Sequence, residues 1–186
     1  MATDSPLSKP NSHFGKLSLV LLGVFAVVMY IGLNTPTHSS GDIVPVSERK
    51  VPSNPSYRLL GGEQWQLDSH RGKVVVINLW ATWCGPCRQE TPALANVYRQ
   101  MKPKGVEMIG LSFDQGGPAI VERFVADNNV PYPQAMAPQD LMFGDGIPLP
   151  TTLVYDKTGR LAARLTGAVE EKEFRDLLDQ LLKEPV

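Results

Sequence analysis

Cysteine is scarce in this chain of 186 residues: there are two, Cys84 and Cys87. A framework of several disulfides is excluded, and a bridge closing so short a loop would constrain the unfolded chain only weakly, which argues against a stapling role. Zinc needs about four ligands, and no second cysteine pair exists. Of the histidines, His13 and His38 lie toward the N-terminus and only His70 lies deeper in the chain, so no metal site is expected. An excess of one charge is also missing. The 18 basic and 19 acidic residues are interspersed and leave a formal charge of −1, which gives nucleic acid no basic stripe to bind. No internal repeat is evident, and the length suits one medium domain with an appendage.

Long apolar runs are confined to one place. Residues Leu17 to Leu33 carry no charge, and their length is at the low end of the roughly 17 to 25 residues that span a bilayer as a helix. A core helix would show a polar stripe, and this run shows none. Lys9 and Lys16 precede it, whereas the next basic residues are Arg49 and Lys50. The positive-inside bias then puts residues 1–16 in the cytoplasm, makes 17–33 a transmembrane signal anchor and places everything later outside. A cleaved signal peptide is the competing reading, but the run is long for its apolar region and no A-x-A site follows. Either reading gives the same compartment, where the lack of a third cysteine also removes any competing thiol.

Residues 34–56 are rich in Pro, Ser, Thr and Asn and read as a solvated linker with a reach of roughly 25 Å. The folded domain is expected over 57–186. It opens with a hairpin around Tyr57 to Leu67 that turns at Gly61-Gly62. The run Val74 to Trp80 follows, continuous enough in apolar residues for a central strand buried on both faces. A helix from about Pro86 to Met101 places Leu94, Val97, Tyr98 and Met101 on one face. A strand (Val106 to Ser112), a helix (Ala119 to Asn128), two strands (Thr151 to Asp156 and Leu161 to Thr166) and a closing helix (Glu170 to Lys183) complete an α/β pattern. That order implies a central mixed sheet flanked by helices.

The two cysteines fall where the buried strand passes into a helix, in Trp83-Cys84-Gly85-Pro86-Cys87. Pro86 suits the first helical turn, where its missing N–H costs nothing. Cys84 is then at the helix N-terminus, where free N–H groups and the helix dipole stabilise a thiolate and lower its pKa from about 8.5. Cys84 is therefore expected to attack, and Cys87, about one turn deeper, to resolve. This chemistry calls for no cofactor. A peroxide-reducing cysteine would be expected in a T-x-x-C setting, but Thr82 stands two residues before Cys84. A copper carrier would be expected to use a wider C-x-x-x-C with a partner histidine.

The segments NLWATWCGPCRQETPAL and GIPLPTTLVYDKTGR resemble the membrane-anchored thioredoxin-like family typified by TlpA and ResA, which includes the cytochrome c maturation reductants. The resemblance covers roughly residues 57–186 and rests on two motifs that agree in order and spacing. It implies a thioredoxin fold on the outer face of a bacterial inner membrane, held there by a single-pass helix. Its partners would be disulfide-containing proteins, apocytochrome c among them, and a membrane thiol relay that supplies electrons.

The same resemblance assigns further residues. Pro150 matches the family's cis-proline, against a cis frequency of ~5% for X-Pro bonds in general. Leu149 before it could pair with an extended substrate by strand addition, with Thr151 beside it as a second contact. Trp83, Gly85 and Pro86 would support the active site, with Trp83 shielding the disulfide, whereas Trp80 and Pro92 would be structural. Glu90, at i+3 from Cys87, matches an active-site glutamate of the ResA branch and could carry a proton to or from the resolving thiol. The bland alternative is an exposed acid that complements the helix dipole. Asn78 departs from thioredoxin, which has a proton-accepting aspartate at the matching position. An amide cannot accept that proton, so Asn78 reads as a core amide.

Gly85 and Pro86 are shared with thioredoxin, which is strongly reducing at about −270 mV. The expected activity is thus reduction of extracytoplasmic protein disulfides. An oxidase or isomerase of the same fold, and a non-catalytic binding module for unfolded or apocytochrome chains, are the alternatives.

Overall fold

The computed structural model describes residues 41–142 and 146–186. The expected cytoplasmic tail and transmembrane anchor, and the linker up to residue 40, lie outside the described residues. Among those described, no helix is long and apolar enough to cross a membrane.

Among the described residues seven strands form two sheets. β1 (Ser56–Arg58) and β2 (Gln64–Gln66) pair as the expected hairpin, with Tyr57 opposite Trp65. The main sheet comprises β3 (Val74–Trp80), β4 (Val106–Ser112), β5 (Gln134–Met136), β6 (Thr151–Tyr155) and β7 (Leu161–Thr166). Its order is β5-β4-β3-β6-β7. β3, β4 and β5 run parallel, whereas β6 and β7 are antiparallel to their neighbours. Every residue of β3 is buried, as its unbroken apolar run requires of a central strand covered on both faces.

The two-residue period of β3 divides the core. Val75, Ile77 and Leu79 pack with Trp65, Leu67 and Val121, the last from α2 (Pro118–Asp127). Val74 and Val76 pack instead against α1 (Gly85–Met101) and α4 (Glu171–Lys183), through Leu94, Val97, Tyr98 and Met101 and through Phe174, Leu178 and Leu181. Asn78 belongs to this second face by alternation. A short helix, α3 (Gln139–Met142), lies between β5 and β6.

Two features depart from expectation. β5 is three residues long and follows Pro131-Tyr132-Pro133, so neither length nor composition signals an edge strand. The second half of the expected linker is part of the domain. Val44 N–H donates to the Ala162 carbonyl, and Leu161 N–H donates to that of Lys50. Arg49 is buried, bonding Asp156 at 2.9 Å and Glu184 at 2.5 and 2.7 Å. A polar segment held by one buried guanidinium has the composition of a solvated one, which is why composition misplaced the boundary.

Candidate active site

At the end of β3 the chain leaves the sheet through Ala81, Thr82 and Trp83 and enters α1. Cys84 is the residue before the helix, with extended φ and ψ (−79°, 111°), and Pro86 lies in the first turn. The Cys84 sulfur accepts the Cys87 N–H at 3.3 Å, one of the free donors of the helix N-terminus. The two cysteines form a disulfide. Cys84 retains 6% of its accessible surface and Cys87 1%, so an approaching sulfur meets Cys84 first.

The loop before Cys84 is held by a residue that the sequence did not single out. Asp114, just beyond β4, is buried. Its carboxylate accepts the Thr82 N–H at 2.9 Å, the Thr82 hydroxyl at 2.5 Å and the Ser112 hydroxyl at 2.7 Å. The strand register, with Trp80 opposite Ser112, brings these positions together. Nothing local in Ser-Phe-Asp-Gln reports that pairing.

Across a cleft of about 580 Å³ from Cys84 stands the loop before β6. The Leu149-Pro150 bond is cis, as expected. Leu149 lines the cleft together with Trp83, Gly85, Pro86, Phe113 and Ile147. Trp83 is 66% exposed and forms one wall. The Pro150 carbonyl accepts the Gly167 N–H at 2.9 Å. Thr151, expected to touch substrate, is fully buried, and its hydroxyl donates to the Pro148 carbonyl at 2.7 Å. Its side chain fixes the loop from inside, because the first β6 residue already faces the core.

Glu90 is not an exposed first-turn acid. It is 3% exposed, and its two oxygens accept the Asn78 amide and the Val169 N–H, each at 3.0 Å. Burial pushes its carboxyl up to about 7, against the opposing effects of the Val169 and Asn78 hydrogen bonds. A carboxyl that titrates there can exchange a proton near neutral pH. Asn78 also donates to the Thr152 hydroxyl at 3.1 Å. It is a core amide, as expected, but one that orients Glu90. Val169 follows Gly167 by two residues, so one short segment after β7 contacts both the cis-proline loop and Glu90.

The comparisons with known proteins agree with this geometry. A family model described as the AhpC/TSA family matches residues 48–178. The thiol-disulfide oxidoreductase ResA of Geobacillus thermodenitrificans is 32% identical over 126 residues, covering 66% of this chain and 71% of the relative. ResA of Oceanobacillus iheyensis is 31% identical over 189 aligned positions, covering 96% of this chain and 94% of the relative. Among solved structures, a secreted thiol-disulfide isomerase from Corynebacterium glutamicum superimposes with a TM-score of 0.69 at 28% identity, covering 81% of this chain and 96% of that one.

Proposed function

The chain belongs to the AhpC/TSA family and is a thiol-disulfide oxidoreductase of thioredoxin fold, and from that premise we propose that it reduces disulfides of other proteins outside the cytoplasm. The observation that carries the reading is the unequal access to two sulfurs at one helix N-terminus, with the cis-Pro150 loop across the cleft.

In the reduced protein the Cys84 thiolate attacks one sulfur of the substrate disulfide. The substrate's S–S bond breaks, its other sulfur leaves as a thiolate and is protonated by water, and a Cys84–substrate bond forms. Glu90 takes the Cys87 proton, and the Cys87 thiolate attacks the Cys84 sulfur. The mixed disulfide breaks, the second substrate sulfur leaves as a thiolate that takes a proton from Glu90 or water, and the Cys84–Cys87 bond forms. Two electrons have passed to the substrate, and the protein is oxidised. The backbone of Leu149 pairs with the substrate strand beside Cys84.

Several further features belong to this proposal: tethering by residues 17–33, a periplasmic-side location, resupply of two electrons by a membrane thiol relay, and apocytochrome c as a substrate. They draw support from the uncharged N-terminal run and from similarity to ResA of Oceanobacillus iheyensis over nearly the whole chain. Oxidation or isomerisation is the second reading, favoured by the name of the Corynebacterium protein. The reduction potential of the Cys84–Cys87 couple separates them. A value near the −270 mV of thioredoxin, within about 50 mV, is expected; one near −120 mV, where strong oxidants of the fold lie, reverses the direction.

A further inference from the structure

The hydrogen bonds that hold the loop before Cys84 end on a carboxylate, and holding the loop does not require a charge. Asp114 is 4% exposed. Its two oxygens meet only donors, the Thr82 N–H and hydroxyl and the Ser112 hydroxyl, which are the partners that an ionised carboxylate takes. No lysine or arginine pairs with it among the described residues. An asparagine would fill the same volume. Its Oδ1 would accept the Thr82 N–H and the Ser112 hydroxyl, and its amide would donate to the Thr82 hydroxyl oxygen. Burying a charge without a cation costs more than burying that amide, so the geometry of the loop does not account for an acid at this position.

We propose that the charge of Asp114, as distinct from its hydrogen bonds, holds back thiolate formation at Cys84 and so keeps the Cys84–Cys87 couple reducing. Thr82 is two residues before Cys84, and the Cys84 N–H donates back to the Ala81 carbonyl at 3.2 Å, which folds this stretch into a turn. With 2.9 Å from the Thr82 nitrogen to the carboxylate, the charge lies on the order of 10 Å from the Cys84 sulfur. At an effective dielectric of about 20, that repulsion moves the ionisation of a thiol upward by about one pH unit. It opposes the pull of the helix N-terminus. The other charges near the sulfur do not cancel it. Arg88 is exposed to water, Glu90 is an acid held by Asn78 and Val169, and the described lining of the Cys84 cleft holds no further ionisable group. Discouraging the thiolate destabilises the dithiol relative to the disulfide, which favours donation of electrons. The inference rests on the reductase reading and supplies a source for that preference.

Two variants separate charge from hydrogen bonding. Asp114→Asn removes only the charge, whereas Asp114→Ala removes both. In each full-length, reduced protein the rate of iodoacetamide alkylation at Cys84, located by peptide mass spectrometry, is followed across pH. The midpoint should lie about one pH unit lower in Asp114→Asn than in the parent, so that alkylation well below both midpoints is about three- to tenfold faster. Asp114→Ala should shift the midpoint by the same amount, although it alone loses stability to urea. The equilibrium of Asp114→Asn with glutathione at pH 7 should move about threefold toward the dithiol. An unchanged or higher midpoint in Asp114→Asn overturns the proposal. So does a shift confined to Asp114→Ala, which would make the residue a scaffold only. The difference between variant and parent reads Asp114, and the parent's own potential reads the direction of electron flow, so the proposal and the reductase reading fail separately.

Discussion

Replacing Glu90 by Gln should make the oxidised protein resist alkaline pH better than it now does. The Glu90 carboxyl sits at about 7 in the fold against an ordinary value of 4.5, so the folded state holds a proton that the unfolded chain has released. The stability that this proton represents is fully present below pH 4.5 and is lost as pH rises through 7. Integrated from pH 5 to pH 8, the loss is roughly 2–3 kcal/mol. Gln fits the site if the Asn78 amide turns over. Asn78 Oδ1 would then accept from the new amide and from the Thr152 hydroxyl, while Gln Oε1 keeps the Val169 N–H. The variant should therefore lie within about 1 kcal/mol of the parent at pH 5. Urea unfolding of both proteins at pH 5, 6, 7 and 8 isolates the effect, because the other titrating groups cancel in the difference. With a slope of about 1–3 kcal/mol per molar urea, the midpoints should separate by about 1–2 M at pH 8 in favour of the variant. Parallel profiles, or a parent that gains on the variant as pH rises, would refute the claim that burial governs this carboxyl. Glu90→Gln should also slow attack by Cys87 on the mixed disulfide by about 10²-fold at pH 7 and abolish a rise in that rate centred near pH 7, as rapid-quench kinetics would read.

Cys87→Ala should stall the reaction at the mixed disulfide, leaving substrate bound to Cys84 in a form that non-reducing electrophoresis resolves and reductant releases; substrate attached at no cysteine would count against Cys84 as the attacking sulfur. Asp114→Ala removes the acceptor of three donors, one buried and two part-buried, and should lower stability by about 2–3 kcal/mol in denaturant unfolding; an unchanged midpoint would show that the Thr82 loop does not depend on it. Arg49→Ala leaves Asp156 buried without its cation and should cost about 3 kcal/mol. The same change should open residues 44–56 to proteolysis, and a cleavage rate equal to the parent's would restore the linker reading of that segment.

The sequence by itself determined the elements whose pattern is local. The unbroken run of β3, the helical spacing of Leu94, Val97, Tyr98 and Met101, and the Gly-Pro between two cysteines each express their structure within a dozen residues. It also placed Cys84 at the N-terminus of a helix and Cys87 inside its first turn. The tertiary structure decided what depends on long-range pairing. Glu90 is buried rather than exposed because Asn78 and Val169 meet it from a strand and from the segment after another. Asp114 reaches Thr82 only through the β3–β4 register. Thr151 faces the core, and Arg49 ties a polar segment to Asp156, more than a hundred residues away. Burial of a polar side chain depends on partners distant in the chain, and no periodicity or composition records which partners those are.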